Sequence, residues 1–376
     1  MASFALRCWT EISRAQLVSN YRAICATVGA GVEVAPVVKA DAYHHGAVEV
    51  ARVLAAEGVR WFAVATAEEG AALREAGLQQ RILVMSDALP RDHEALAHYR
   101  LTPVIHSLTS LQAWDALART RQAPLPYHLK IDTGFGRLGA MSTDAEVVGA
   151  VLAASHVRLE GIMTHFASAT DYESRQTEEQ LGCFQRLLAV LAGAGIRPSL
   201  VHLASSAPVA YGMREAWGNM VRPGIALYGY VPAARGAAPP NVLRVKPVLQ
   251  WKASVLTVKD LPAGFPVGYG ALFRAPKPMR IAVISAGYAD GVPHTLSNKG
   301  QVIAGGRLVR ILGAVSMDVT TIDVTDCPPL RPGDPVTLIG EEGGVSQDAD
   351  ELARAAGVIS YAILCGISSR VRRIYC

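Results

Sequence analysis

The chain has 376 residues, of which 51% are hydrophobic and 18% charged, and its net charge is +4. This balance excludes a disordered chain, and the length fits two domains or one large barrel with an addition. Basic and acidic residues are interleaved, and no apolar stretch approaches the ~18 residues needed to span a bilayer. We therefore expect neither nucleic acid nor a membrane as a partner.

The cysteines and the N-terminus indicate the compartment. The six cysteines form no CxxC and no pattern with histidine that would be typical of a zinc site. Residues 1–9 lack the long apolar core and the small-residue cleavage site of a secretory leader. These features predict a cytoplasmic protein with reduced thiols and without a metal site.

Short apolar runs alternate with helical patterns through the first two thirds of the chain. The runs lie at 32–38, 59–65, 81–85, 102–106, 127–131, 158–165, 200–204 and 219–222. Capping boxes begin at Ser13, Thr66 and Thr143, and Gly58 and Gly77 stand where helices should end. Eight βα units in about 230 residues predict an α/β fold, a (β/α)8 TIM-like barrel. An open doubly wound sheet is the alternative.

The pattern changes after Tyr230. A linker rich in proline, glycine and alanine is followed by alternating β-branched runs at 253–258, 281–285, 301–304, 319–324 and 336–339. A helical pattern returns at 349–356. We expect the barrel over residues 11–240 and a mainly antiparallel β-domain over 241–376, which a strand from residues 1–10 would join.

Polar residues stand at the predicted carboxyl ends of the barrel strands, where barrel enzymes keep their reactive groups. Lys39 follows the apolar run AlaProValVal, and Lys130, His165 and Arg222 stand at the ends of other strands. Desolvation at a strand end lowers the pKa of a lysine and frees its amine for Schiff-base chemistry. A lysine that extends to solvent at the barrel rim is the alternative for Lys39.

A candidate anion site follows the last barrel strand. Pro223 and Gly224 are expected at a helix start, where backbone N–H groups are exposed, and Ser206 follows the neighbouring strand. Barrels often bind phosphate between these two loops, although an ordinary Pro-Gly turn is the alternative. A lysine, a phosphate site and a nearby arginine together suggest pyridoxal phosphate.

The segment 134–139 matches the GxGxxG pattern of dinucleotide sites. In such sites the glycines open the helix directly. Here the capped helix begins only near Thr143, so the dinucleotide interpretation is disfavoured.

The sequence resembles the alanine racemase family over nearly the whole chain. The motifs are PVVKADAYHHG at 36–46, HLKIDTGFGRLG at 128–139, GIMTHFASA at 161–169, VRPGIALYG at 221–229, VGYG at 267–270, GYADG at 287–291, GAVSMD at 313–318 and SYAILCGISSRVRRIY at 360–375. The resemblance implies an alanine racemase with pyridoxal 5'-phosphate in the barrel, active as a head-to-tail homodimer with active sites shared between subunits. It implies a small amino acid as substrate and D-alanine for peptidoglycan precursors of the cell wall as product.

The resemblance also implies roles for individual residues. Lys39 would hold the cofactor and act as one proton-transfer base, and Tyr269 from the partner subunit would be the other. His165 and Arg222 would stabilise the phenolate of Tyr269. The phosphate would be bound by Tyr43, Ser206, Gly224, Ile225 and Tyr361. The substrate would meet Arg137, the backbone N–H of Met317 and the entrance residue Tyr288, and Lys130 matches a position that is often carbamylated.

Two of these roles have a simple physical logic. Racemisation removes a proton from one face of the α-carbon and returns one to the other, so two opposed bases are simpler than one that moves. The resemblance also implies that Arg222 lies at the pyridine nitrogen; an arginine cannot give up its proton, so that nitrogen would stay neutral, which would suppress side reactions such as transamination. Without its motif, Tyr269 would be interpreted as a half-buried strand tyrosine.

Departures from the family pattern leave alternatives open. Residues that differ from the usual ones are His44, His45, Ser205, His294, Ser316 and Ala362. They leave a serine or broad-specificity racemase as the main alternative to an alanine racemase. A non-catalytic pyridoxal-phosphate-binding barrel is disfavoured because such proteins lack a second domain, and a decarboxylase because those enzymes have an acidic residue in place of Arg222.

Overall fold

The structure is a computed structural model that describes residues 5–86 and 89–376. The chain divides into two compact units. The barrel unit contains residues 17–42 and 47–246, and the C-terminal unit contains the described residues up to Gln16, together with 43–46 and 247–376. Within the described ranges, no helix is both long and apolar enough to cross a membrane.

The secondary structure alternates in the barrel unit and is mostly strand in the C-terminal unit. The strands are β1 Cys8–Ile12, β2 Glu33–Val34, β3 Trp61–Val64, β4 Arg81–Val84, β5 Thr102–Ile105, β6 Leu125–Lys130, β7 Val157–Met163, β8 Leu200–His202, β9 Met220–Val221, β10 Leu249–Leu261, β11 Pro266–Val267, β12 Phe273–Arg274, β13 Met279–Ile284, β14 Gln301–Ala304, β15 Arg307–Leu312, β16 Thr320–Asp323, β17 Pro335–Glu342, β18 Val345–Gln347 and β19 Arg372–Tyr375. The helices are α1 Arg14–Val28, α2 Lys39–His44, α3 Ala47–Ala56, α4 Ala67–Glu75, α5 His93–His98, α6 Leu108–Arg121, α7 Asp144–Ala153, α8 Gln176–Gly193, α9 Ser206–Ala210, α10 Ala349–Ala356 and α11 Ser360–Gly366.

The barrel closes through backbone bonds at both edges of a parallel sheet. Strands β3 to β8 pair in chain order, and β2 pairs with β9, all in parallel. A parallel bridge joins Val37 to Ala63, and the Asn219 N–H donates to the Val201 carbonyl at 3.0 Å. The described residues therefore form the predicted ring of eight parallel strands, and the open-sheet alternative is wrong.

Local sequence signals fix the starts of the outer helices. Thr66 accepts a hydrogen bond from the Glu69 N–H, and Thr143 accepts one from the Glu146 N–H, each at 3.3 Å. Each glutamate accepts a bond from the backbone N–H of its threonine in return, which completes the capping box. Gly77 follows α4 with a φ of 91°, a conformation that glycine adopts without strain. These helix boundaries are confirmed.

The C-terminal unit is built on a mainly antiparallel sheet. Within the described ranges this sheet has nine strands in the order β18-β17-β14-β15-β16-β13-β10-β1-β19. The long strand β10 pairs antiparallel with β1, β13 and β17, and Trp251 on β10 is fully buried. Of the predicted strand over residues 1–10, the part at 1–4 lies outside the described residues, and β1 begins at Cys8.

Candidate active site

The carboxyl ends of the barrel strands carry polar side chains, because each strand ends where its apolar run ends. Lys130 is the last residue of β6 and His202 the last of β8. Arg222 follows β9 directly, and His165 lies two residues beyond β7. Lys39 begins α2, directly after the fully buried Val38. The barrel therefore brings these groups to one end of its parallel strands, as predicted.

Arg222 is the buried cation of this end of the barrel. Its side chain is 3% exposed, and Nη2 donates to the carbonyls of Thr164 and Leu203, both at 3.0 Å. Nη1 donates to Nδ1 of His202 at 2.8 Å. Burial lowers the pKa of Arg222 to about 9, which leaves the guanidinium protonated at neutral pH. A positive charge is thus held in a fixed orientation.

The charge of Arg222 helps to lower the pKa of two neighbouring side chains, His165 and Lys130. Burial, followed by the charges of Arg222 and Lys130, lowers the pKa of His165 to about 3, so this imidazole is neutral. Burial, together with the charges of Arg137 and Arg222, lowers the pKa of Lys130 to about 8. Lys130 is therefore partly unprotonated near neutral pH, which is unusual for a lysine.

The GxGxxG segment is a loop built around Asp132. The carboxylate of Asp132 accepts four backbone N–H groups, from Gly134, Phe135, Gly136 and Arg137, at 2.7 to 3.2 Å. Although burial acts to raise it, these bonds lower the pKa of Asp132. The backbone N–H groups of this loop therefore bind the carboxylate of Asp132, whereas in a dinucleotide site such groups bind a pyrophosphate. This agrees with the prediction against a dinucleotide site.

This loop also presents Arg137. Its guanidinium carbon lies 4.2 Å from the centre of the Phe135 ring, and that ring is 5.6 Å from the ring of His165. Asp132 was missed by the sequence analysis. An aspartate between a strand and two glycines is a turn signal that could have identified it.

The predicted phosphate loop is held by one hydroxyl group. Ser206, which is 3% exposed, accepts hydrogen bonds from the N–H groups of Gly224 at 3.0 Å and Ala226 at 3.1 Å. The sequence predicted Pro223 at the first position of a helix. In the structure a 3-10 helix begins at Ile225, so Pro223 lies before the helix start. The two loops nevertheless meet, and Ser206, Gly224 and Ile225 lie together.

Lys39 opens a left-handed helical segment. The next five residues, Ala40 to His44, have φ values between 51° and 60°. L-residues lose about 1–2 kcal/mol each in this conformation, so the segment persists only because its surroundings hold it. In the barrel unit, Glu69 accepts the Ala40 N–H and Asp41 accepts the Ala47 N–H, both at 2.7 Å.

The second half of this segment is held within the C-terminal unit. Arg373 donates to the carbonyl of His44 at 2.9 Å, and the Tyr375 hydroxyl donates to the carbonyl of His45 at 3.0 Å. A Cβ atom on Gly46 would overlap the Tyr375 hydroxyl, so only glycine fits beneath this tyrosine. Strand β19 thus holds the backbone of His44 and His45 within this unit.

Tyr43 and Tyr361 form a pair in the same unit. Their ring centres are 6.0 Å apart, and Tyr43 is buried. Burial raises the pKa of Tyr43 well above its usual range and that of Tyr361 to about 12. Both phenols therefore keep their protons and can donate hydrogen bonds to an anion.

Tyr269 lies on an exposed turn of the C-terminal unit. A 3-10 turn at 269–271 carries it between Gly268 and Gly270, both of which have a positive φ. Its side chain is 76% exposed, so the half-buried strand interpretation is wrong. A Cβ atom on Gly313 would lie 2.7 Å from the carbonyl oxygen of Val267, which shows that the VGYG and GAVSMD motifs are in contact.

Tyr288 and Met317 belong to the same group of loops. The Tyr288 N–H donates to the Ser316 carbonyl at 3.0 Å, and the Ala289 N–H donates to the Met317 carbonyl at 2.9 Å. The ring of His294, one of the departures, lies 6.3 Å from that of Tyr288. We call the turn at 269–271 and the segments 287–291 and 313–318 the C-terminal loop group.

Asp290 anchors the C-terminal loop group and was also missed. Its carboxylate is almost fully buried, accepts two bonds from Arg370 at 2.7 and 2.9 Å, and accepts the Gly287 N–H at 2.9 Å. The Asp-Gly pair in GYADG is a turn signal, but the arginine partner is 80 residues away in the sequence. Sequence spacing alone could not have supplied it.

Known proteins resemble the chain over both units. The family model for "Alanine racemase, N-terminal domain" matches residues 12–232, and that for "Alanine racemase, C-terminal domain" matches residues 248–375. An alanine racemase from Halothermothrix orenii is 39% identical over 368 residues, which covers 98% of this chain and 96% of that protein.

Solved structures agree. An alanine racemase from Streptomyces lavendulae has a TM-score of 0.93 at 32% identity, covering 100% of this chain and 98% of that one. One from Bartonella henselae, described with covalently bound pyridoxal phosphate, has a TM-score of 0.88 at 31% identity, covering 98% and 99%. On its sequence and its fold alike, the chain belongs to the alanine racemase family.

Proposed function

We propose that this protein interconverts L-alanine and D-alanine with pyridoxal 5'-phosphate, and that the D-alanine supplies peptidoglycan precursors. The observation that carries the proposal is the group at the carboxyl end of the barrel strands, where Lys39, Ser206 and the buried Arg222 occur in one unit. Family membership over both units supports the same reaction.

The residues present fit this cofactor. The hydroxyl of Ser206 and the N–H of Ile225 are donors suited to a phosphate, and the protonated phenols of Tyr43 and Tyr361 add two more. Gly224 is proposed to contribute to the same site, and in this structure its N–H donates to Ser206. Lys39 supplies the amine for a covalent link to an aldehyde. When bound, the cofactor withdraws electrons from the α-carbon of an amino acid.

Two side chains are proposed to move the proton. Lys39 takes or returns it on one face of the α-carbon, and Tyr269 of the partner subunit does so on the other. His165 is neutral and accepts from Arg222 at Nδ1 over 3.4 Å, so its Nε2–H is left to donate to the phenolate of Tyr269. One base removes the proton from one face of the α-carbon and the other base returns a proton to the opposite face. A single base could do both only by moving from one face to the other.

Arg222 is proposed to donate to the pyridine nitrogen. A guanidinium that stays protonated supplies no proton to the ring, so the α-carbanion is less delocalised than it would be beside a carboxylate. Its fixed bonds to the Thr164 and Leu203 carbonyls support this role. Arg222 also argues against decarboxylation, because the barrel decarboxylases have an acidic residue at this position.

Substrate binding is proposed for three residues. Arg137 and the backbone N–H of Met317 bind the carboxylate of the amino acid, and Tyr288 lines the entrance. The stacking of Arg137 on Phe135 holds the guanidinium in place, as a carboxylate site requires.

A homodimer with shared active sites is proposed as the functional state. The C-terminal loop group and its surroundings expose several large side chains that are suited to burial against a second copy. These are Phe265, Tyr269, Leu272, Tyr288 and Met317. The six cysteines are free thiols and support a reducing, cytoplasmic environment.

The substrate is tested by a panel of L-amino acids. We expect purified protein loaded with pyridoxal phosphate to convert L-alanine to D-alanine with a kcat/KM at least about 10-fold above that for serine, because an extra substituent must fit the same pocket. Chiral chromatography of the products measures both rates. A higher kcat/KM for serine would contradict the proposal and favour the serine racemase alternative.

Lys130 is proposed to be carbamylated. Its neutral amine would attack carbon dioxide and lose a proton, which gives a carbamate that balances the charges of Arg137 and Arg222. Only the unprotonated amine reacts, and the pKa of about 8 makes that form available near neutral pH. The same chemistry at an ordinary lysine, with a pKa of about 10.4, is much less favoured.

We expect isotope-labelled bicarbonate to give a carbamate signal in the carbon NMR spectrum of the protein, rising as the pH increases through about 8. The Lys130→Met variant should lack this signal. The exposed Lys246 provides the matched control, and its replacement by Met should leave the signal unchanged. An equal signal in Lys130→Met, or no signal in the unmodified protein, would disprove carbamylation at this position.

A further inference from the structure

A row of buried polar side chains runs through the barrel unit from Arg222. Nη1 of Arg222 lies 2.8 Å from Nδ1 of His202, and Nε2 of His202 lies 2.7 Å from Nδ1 of His128. Nε2 of His128 faces the carboxylate of Glu160 at 3.7 Å. None of the four side chains is more than about 5% exposed. We call these four residues the polar row.

The direction of the hydrogen bonds in the polar row follows from its two ends. A guanidinium can only donate, so Nδ1 of His202 must carry a lone pair. Burial lowers the pKa of both His202 and His128, so each ring holds a single proton. The proton of His202 is therefore on Nε2 and is donated to Nδ1 of His128, which leaves the proton of His128 on Nε2, towards Glu160.

The opposite direction is unfavourable. If His128 donated from Nδ1 to Nε2 of His202, a neutral His202 would carry its proton on Nδ1, directly against the N–H of Arg222. Two donors at 2.8 Å in a buried site would each lose a hydrogen bond, and buried polar groups without a partner are strongly unfavourable. Which ring nitrogen of His202 carries the proton thus decides whether Arg222 keeps its hydrogen bond to this histidine.

Glu160 is a fixed anion at the far end of the polar row. Arg81 donates to both of its carboxylate oxygens at 2.5 Å, and Arg158 lies 3.2 Å away. Although burial acts to raise it, the contacts with His128 and Arg81 lower the pKa of Glu160 to about 2. Glu160 is therefore ionised near neutral pH and can only accept.

The backbone of β7 is adapted to this arrangement. His128 and Gly161 face each other in the pairing of β6 with β7. A Cβ atom on Gly161 would lie 2.6 Å from Cε1 of His128, so a larger residue would displace the ring. The strand thus carries the anion at Glu160 and leaves room for the imidazole at the next position.

We propose that Glu160 and His128 are positioning residues: with an acceptor at one end of the polar row and the Arg222 N–H at the other, they keep the proton order of His202 that lets it accept from Arg222, and so hold Arg222 in its orientation. Neither is expected to touch substrate or cofactor. The effect on catalysis rests on the proposed function, because it requires Arg222 to face the cofactor ring. The proton order itself does not depend on that function.

The first test uses the protein without cofactor. Nitrogen NMR of protein with isotope-labelled histidine reports which ring nitrogen carries the proton. We expect Nε2–H for both His202 and His128 in the unmodified chain. In Glu160→Gln we expect a measurable Nδ1–H population, because an amide that donates to Nε2 of His128 favours the opposite proton order and competes with the Arg222 N–H. A proton on Nδ1 of His202 in the unmodified chain would overturn the proposal, and this measurement needs no variant to fold.

The second test uses the loaded enzyme. Glu160→Gln should lower kcat by about 10-fold with little change in the KM for alanine, because Arg222 keeps its charge and loses its fixed orientation. Glu57→Gln is the matched control, since Glu57 pairs with Arg22 at 2.8 Å outside the polar row. Unchanged histidine spectra in Glu160→Gln, or equal effects in the control, would overturn the proposal. The predicted spectra in a protein without racemase activity would contradict the proposed function and leave the proton order intact.

Discussion

Lys39→Ala is expected to abolish racemisation, with a loss of about 10⁴-fold or more. A single general base contributes roughly 10²–10⁴-fold, and Lys39 would in addition hold the cofactor covalently. Borohydride reduction followed by mass mapping of peptides should find pyridoxal phosphate on the peptide that contains Lys39. In Lys39→Ala no peptide should carry it.

The peptide mapping also distinguishes Lys39 from Lys130 as the lysine that binds the cofactor. Lys130 is the alternative because it too lies at the end of a barrel strand and has a lowered pKa. Lys130→Met should keep the covalent cofactor on the Lys39 peptide. Cofactor found on the Lys130 peptide of the unmodified protein would reverse the assignment of the two lysines.

Tyr269→Phe is expected to lower racemisation of alanine by about 10²–10⁴-fold, as the loss of one acid–base group predicts. The loss should be unequal in the two directions. Exchange of the α-proton with deuterated solvent should fall much more for L-alanine than for D-alanine, because Lys39 still serves the other face. Equal losses for the two enantiomers would contradict the assignment of two opposed bases.

Mixing the two inactive variants tests whether the active sites are shared. In a mixed dimer, the site that combines the intact Lys39 of one subunit with the intact Tyr269 of the other is complete. If subunits exchange freely, half of the dimers are mixed and each has one intact site, so roughly a quarter of the activity should return. No recovery after verified exchange would place both bases in one chain and contradict the shared active site.

The fold was largely predictable because its signals are local. The strand at 301–304 and the helix at 349–356 match their predictions residue for residue, since alternation and a capping box act within a few residues. Strand β15 and helix α11 were not predicted. β15 has arginines among its apolar residues, and α11 has no side-chain cap at its start.

The candidate site was predictable in part only. Lys39 and Arg222 were identified because they interrupt apolar patterns at strand ends. The polar row was not, because His128 and His202 are 74 residues apart and meet only when the barrel closes. The left-handed conformation after Lys39 was not predicted either, because Ala-Asp-Ala-Tyr-His favours other conformations and tertiary contacts overrule that preference.

The contacts of β19 with the carbonyls of His44 and His45 have a consequence for synthesis. A ribosome makes His44 329 residues before Arg373, and His45 330 residues before Tyr375. Domains generally fold as they emerge, but this turn lacks two of its hydrogen bonds until β19 has been made. The backbone at His44 and His45 therefore gains these two bonds only after β19 has been made, however early the neighbouring barrel strands have folded.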